Sequence, residues 1–225
     1  MRISAVVAHP DDEIIGLGGT ILKHINNGDE FQIIILCEGK SSRYEKYEYM
    51  DSNILKKYNE ETKESMECLG VNNYMLCNYP NNRLDTLPLL DIIKDIQKKL
   101  DEFRPSRVYT HSYSELNIDH LIVNKAVSTA VRALPNAYVK ELLFFSTLSS
   151  TEQARTIGQF FEPNFFVDIS DFIEEKIKAM SCYKSELRSA PHPRCLENIR
   201  ANDRVCGSKI GCNYAEEFVV GRIIN

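Results

Sequence analysis

Residues 3–13 read Ile-Ser-Ala-Val-Val-Ala-His-Pro-Asp-Asp-Glu, an apolar run that ends abruptly in one imidazole and three carboxylates. Ile3 to Ala8 has the continuous apolar character of a strand covered on both faces. From Glu13 the spacing turns helical and holds to Asn27, with Gly28 as the stop. Phe31 to Cys37 is a second buried strand. Strand, helix and strand in that order make a βαβ unit, and such units pair their strands in parallel.

Outward from this unit the alternation continues. A helix is predicted from Asp51 to Leu69 with Gly70 past its end, then a short strand from Tyr74 to Cys77 and a loop rich in Asn and Pro. Leu89, Ile92, Ile93, Ile96, Leu100 and Phe103 share one face of a helix that starts near Pro88 and stops before Pro105. Ser106 to His111 is the next strand, Asp119 to Leu134 the next helix and Lys140 to Thr147 another strand. The pattern is less regular afterwards: Asn164 to Ile169, a helix from Asp171 to about Tyr183, and a polar segment, Lys184 to Arg194, with two prolines around His192. The fold class is therefore α/β, a single Rossmann-like domain over residues 1–225 with a mostly parallel sheet flanked by helices.

At 225 residues and 43% hydrophobic, the chain can bury one sizeable core. No apolar run approaches the roughly 20 residues needed to span a bilayer, and the N-terminus lacks the pattern of a secretory signal, so a cytoplasmic location is expected. Seven cysteines, an odd number with no C-x-x-C pair, argue against a disulfide framework or a zinc knuckle. The net charge of -5 is mild, and basic and acidic residues alternate from Lys56 to Lys63 and from Lys94 to Arg107. Nucleic acid is a poor candidate partner. The charged stretch Lys56 to Glu67 reads as a solvated helix face.

The chemistry concentrates at strand ends. His9-Pro10-Asp11-Asp12-Glu13 follows the first strand directly, and open α/β sheets bind ligands at the carboxyl ends of their strands. His9 and Asp12, three apart across a tight turn, can converge on one cation; a third ligand from a distant loop would leave a fourth position open, as a catalytic metal requires. The loop after the Ser106 to His111 strand, His111-Ser-Tyr-Ser-Glu-Leu-Asn117-Ile-Asp119-His120, is the obvious donor.

In the motif AHPDDE and the later N-I-D-H at 117–120 the chain resembles the PIG-L or LmbE-like family of zinc-dependent N-deacetylases, whose second hallmark is H-x-D-H. NRLDTLPLLDI, PHPR and GSKIGCNYAEEF extend the likeness over nearly the whole chain. The resemblance implies zinc ligation by His9, Asp12 and His120, with ferrous iron able to use the same ligands, and a general-base role for Asp11. It implies a small-molecule substrate, an N-acetylated amino sugar or its conjugate, and a homo-oligomer. Zinc lowers the pKa of bound water toward about 7, so that a nearby carboxylate can take its proton.

Asn117 stands where the family has a histidine thought to stabilise the tetrahedral intermediate. A carboxamide can donate a hydrogen bond but carries no charge, so Asn117 either serves in that role or shapes the turn into its helix. His111, at a strand end, or His192, in the proline-flanked loop, could supply the imidazole instead. Asp119 is expected to orient a metal-binding histidine. Arg43, Arg83 and Arg194 are candidates for gripping the substrate, and Arg43 and Arg83 could equally be solvated loop cations. An open zinc site would also suit another amide or an ester, and Asn117 leaves room for a metal- or sugar-binding relative without turnover.

Overall fold

The computed structural model describes residues 1–41 and 52–225. The chain runs through β1 (Arg2–Val7), α1 (Asp12–Asn26), β2 (Glu30–Cys37), α2 (Ser52–Leu69) and β3 (Asn73–Tyr79). It continues through α3 (Leu89–Phe103), β4 (Arg107–His111), α4 (Ile118–Ala130) and β5 (Glu141–Phe145). The last part holds β6 (Phe165–Asp168), α5 (Ile173–Cys182), α6 (Leu196–Ser208) and β7 (Ala215–Ile223).

One seven-stranded sheet results, in the order β3-β2-β1-β4-β5-β7-β6. The first five strands in that order are parallel, as expected of βαβ units. β7 joins β5 and β6 in antiparallel fashion. Successive residues of β1 and β2 alternate between two cores. Ile3, Ala5, Val7, Ile33 and Ile35 face Ile14, Ile21, Met180 and Ile199. Val6, Ile34 and Leu36 face Ile92, Ile96, Val123 and Val127. Burial on both faces is why these strands read as unbroken apolar runs.

From β1 the chain steps outward to β2 and β3, then crosses back to β4 on the other side of β1. The carboxyl ends of β1 and β4 therefore flank the point where the strand order reverses, the crevice that serves ligands in this architecture. His9 lies two residues beyond β1, and His111 is the last residue of β4. α1 approaches closely enough that a Cβ on Gly16 would overlap the Phe145 ring, and one on Gly19 would overlap Ile169.

Three elements differ from expectation. α6 and β7 lie where no regular element is predicted, and α4 ends at Ala130 instead of running to Leu134. The predicted start of α2 at Asp51 and the candidate Arg43 lie outside the described residues. Among the described residues no helix is long and apolar enough to cross a membrane.

Candidate metal centre

Asp11 occupies the N-cap position of α1 with φ 99°, a backbone conformation uncommon for any residue but glycine. That turn swings the chain so that the Asp12 carboxylate accepts the His9 N–H at 2.8 Å. Across the crevice α4 begins at Ile118, capped by Asn117, whose Oδ1 accepts from the N–H groups of Asp119 and His120. His120 thereby points back toward the end of β1.

Three atoms meet there. His9 Nδ1 and His120 Nε2 are 3.2 Å apart, and each lies 3.3 Å from Asp12 Oδ2. Donors at about 2.0–2.1 Å from one zinc ion, at tetrahedral angles, stand about 3.3 Å from one another. The group of two nitrogens and one carboxylate oxygen could therefore hold a metal ion, and its side chains are buried or nearly so.

The back nitrogens of both rings rest on carboxylates. His9 Nε2 meets Asp119 Oδ2 at 3.0 Å, and His120 Nδ1 lies 3.0 Å from Glu115 Oε2, off the line of a well-aligned hydrogen bond. Such partners orient metal-binding imidazoles and strengthen them as ligands. Asp119 also accepts from the N–H groups of Asn82 (2.6 Å) and Leu84 (3.0 Å) and from the Cys37 thiol (3.5 Å). Glu115 takes hydroxyls from Ser150 and Thr151.

Charge follows from these contacts. Burial works against a proton on His9, but Asp119 and Asp12 outweigh it and hold its pKa well above 6.5. Burial likewise opposes charge on Asp12, and the neighbouring His120 and His111 pull its pKa well below 3.8. Asp11, 1% exposed, is raised to about 7, chiefly by burial, with Arg194 opposing and Asp12 and Glu186 adding to the rise. Arg194 Nη1 donates to Asp11 Oδ2 at 3.1 Å.

A polar cavity of about 210 Å³ opens beside the triangle, with His9, Asp11, Asn82, Asn117, Glu186 and Arg194 among its walls. His9, Asp11, Asp12, Asn117, Asp119, His120 and Arg194 are thus brought together. His111 is not on the cavity wall. Its Nε2 accepts the Ala8 N–H at 2.9 Å, its ring stacks 3.9 Å from that of His120, and burial and the His120 charge push its pKa well below 6.5. A fully buried neutral ring whose lone pair is taken cannot supply the extra imidazole; it braces His120. His192 is not there either: its Nδ1 accepts the Arg194 N–H at 3.1 Å, so it supports the loop that delivers Arg194. Arg83 flanks the short turn of helix at Leu84–Thr86 and is not among the cavity walls.

Further contributors escape a reading of motifs. Glu115 lies inside the second loop, its role visible only once α4 turns His120 onto it. Cys37 ends β2 beside Asp119. Tyr58 donates to Glu186 Oε1 at 2.7 Å, and Lys40 Nζ lies 2.5 Å from the same oxygen. Tyr58, Glu61, Thr62 and Ser65 are buried, so one face of α2 is not solvated; their three- and four-residue spacing is a signal that polarity disguised.

A family model described as GlcNAc-PI de-N-acetylase, PIG-L, matches residues 4–131. Diacetylchitobiose deacetylase of Thermococcus kodakarensis is 28% identical, the alignment covering 98% of this chain and 84% of that protein. Among solved structures, the conserved protein TT1542 from Thermus thermophilus superposes with a TM-score of 0.79 at 24% identity, covering 99% of this chain and 96% of its own. N,N'-diacetylchitobiose deacetylase from Pyrococcus horikoshii gives 0.78 at 23% identity, covering 98% and 84%. The family match spans more than half of the chain, from inside β1 to just past α4, and takes in all three corners of the triangle; the chain belongs to the PIG-L family.

Proposed function

We propose that this protein is a zinc-dependent N-deacetylase that hydrolyses the acetamide of an N-acetylated amino sugar or its conjugate, releasing acetate and a free amine. The observation behind this is the triangle of His9 Nδ1, Asp12 Oδ2 and His120 Nε2, matched in size to one tetrahedral ion, with the Asp11 carboxylate at the same cavity. Family membership and the deacetylase relatives support the acetamide as the bond broken. Zinc held by those three atoms would supply Lewis acidity, polarising the acyl carbonyl and lowering the pKa of water toward about 7.

Asp11 removes the proton of the attacking water and returns it to the leaving amine. A carboxyl group with a pKa of about 7 is suited to both transfers near neutral pH. Arg194 fixes Oδ2 and leaves Oδ1 to take the proton. Asp119 and Glu115 keep the two imidazoles turned toward the ion.

The test is acetate release from a panel of N-acetylhexosamine conjugates by zinc-loaded protein, with and without chelator. Acetate that appears with zinc and disappears with chelator is expected. Turnover confined to other amides or to esters would replace the substrate class, and zinc binding without turnover on any of them would leave a binding protein. His120→Ala is expected to lose the metal; a full zinc complement in that variant would remove His120 from the ligand set.

A further inference from the structure

The hydrogen bonds around Asn117 determine which way two carboxamides point. Asn117 Oδ1 accepts from the N–H groups of Asp119 at 2.9 Å and His120 at 3.4 Å. Its Nδ2 therefore turns the other way, and donates to Asn82 Oδ1 at 3.1 Å. A carboxamide nitrogen has no lone pair to accept with, so Asn82 must offer its oxygen to Asn117 and keep its own Nδ2 for something else. Both residues line the cavity beside His9 and Asp11, and Asn82 is exposed there.

The other side-chain donors on the described walls have partners for at least part of their hydrogens. Tyr58 donates to Glu186, Asn117 gives one of its two side-chain N–H groups to Asn82, and Asn81 is not without a partner. Arg194 gives Nε to Ser149 and Nη1 to Asp11. Among the described residues Asn82 Nδ2 keeps both of its hydrogens, where Asn117 Nδ2 keeps one and Arg194 keeps Nη2. Arg194 is anchored on the base. Asn82 is anchored on the ligands: its N–H meets Asp119 Oδ2, the oxygen that also takes His9 Nε2. Through Asn117 it is tied to the backbone of His120 as well. Its φ of 53° is one that Asn tolerates, so the side chain is held in register with both imidazoles before any substrate arrives.

We infer that Asn82 Nδ2 donates a hydrogen bond to the acyl oxygen of the substrate as that oxygen gains negative charge. This role rests on the deacetylase function proposed above. A donor fixed in advance against the ligand atoms stabilises charge that develops in the transition state without reorganising. Asn82 exchanges no proton: the carbonyl carbon gains a bond to the water oxygen, its π electrons move to the acyl oxygen, Asp11 takes the water proton, and Asn82 keeps its hydrogen throughout.

Two variants test it. Asn82→Gly removes the side chain at a backbone angle that glycine adopts freely, and Asn82→Asp keeps the shape and the acceptor for Asn117 but cannot donate when ionised. In both, kcat is expected to fall about 100- to 1,000-fold, as for a lost oxyanion donor, with KM within about twofold and zinc content unchanged. Affinity for a methylphosphonamidate analogue, whose charged oxygens imitate the tetrahedral state, is expected to fall by the same factor as kcat/KM. An unchanged kcat in Asn82→Gly, a change confined to KM, or loss of zinc would each overturn the role. Wild-type protein that releases no acetate from any substrate would instead sink the deacetylase function itself, and this role with it.

Discussion

Asp11 sits on a backbone angle that most side chains avoid, and it is buried against Asp12 and Glu186 with Arg194 as the opposing charge. Local strain of this kind persists only where surrounding contacts over-determine it. Asn tolerates the same angle, so Asp11→Asn is expected to keep its fold and zinc content while kcat for acetate release falls about 100- to 10,000-fold, the contribution of a general base. Metal analysis beside the kinetics checks this, and undiminished turnover would remove Asp11 from the role. Glu13 offers a stability test. Burial raises its pKa to about 8, against the opposing hydrogen bond from Tyr183, so the folded chain keeps a proton that the unfolded chain releases near 4.5. Stability is therefore expected to fall as pH rises from about 4.5 to 8, by roughly 1.4 kcal/mol per unit of pKa difference and a few kcal/mol at most. Glu13→Gln, neutral throughout, is expected to flatten that slope in denaturant titrations; equal slopes in the two proteins would assign it to other groups. At this scale the meeting of His9, Asp12 and His120 beside Asp11 was legible, from the motif at the end of the first strand and from the family resemblance of the second loop. Glu115 and Asn82 were not, because what makes them matter is the partner each meets after folding.

α1 is broken at Leu17, where φ is -153°, and the break frees backbone groups in a region without solvent. Glu216 accepts the N–H groups of Gly19 and Thr20 at 2.9 and 2.7 Å, and Lys176 Nζ donates to the Ile15 carbonyl at 3.3 Å. Lys176, fully buried, is paired in turn with Asp203 at 2.7 Å and Glu216 at 2.8 Å. This knot joins α1, α5, α6 and β7, and it explains why the last two were illegible. Ile199, Asp203 and Cys206 form the buried stripe of α6, and β7 carries the buried Glu216 as its second residue; apolar periodicity fails where a charged residue takes a core position. β1 and β2, packed mainly by apolar side chains on both faces, with Ser4 donating to Gln32 as the one buried polar pair between them, were plain. Removing one member of a buried charged group typically costs about 3–5 kcal/mol, so Lys176→Met is expected to lose that much in urea unfolding. A loss under about 1 kcal/mol would mean that Asp203 and Glu216 take up protons or water easily and that the break in α1 does not depend on Lys176.

Across the whole molecule, the proposed ligands come from the two sides of the point where strand order reverses: His9 and Asp12 follow β1, and His120 belongs to the helix after β4. An ion binding all three would bind the folded chain and not the unfolded one, and stabilise it by mass action, by about 2.7 kcal/mol when free zinc is one hundred times its Kd. Chelation is therefore expected to lower the melting temperature and zinc to restore it, with no zinc response in His120→Ala. Acid should weaken the effect in a definite direction. His9 and His120 both have pKa values raised above 6.5, where burial is outweighed by Asp119 and Asp12 for the first and by Asp12 and Glu115 for the second. Each must give up its proton to offer a lone pair, so zinc competes with protons and the zinc-dependent rise in melting temperature is expected to shrink as pH falls. A zinc response that is constant from pH 8 down to about pH 5 would place the ion away from these imidazoles, because only ligands with no proton to lose in that range bind independently of pH.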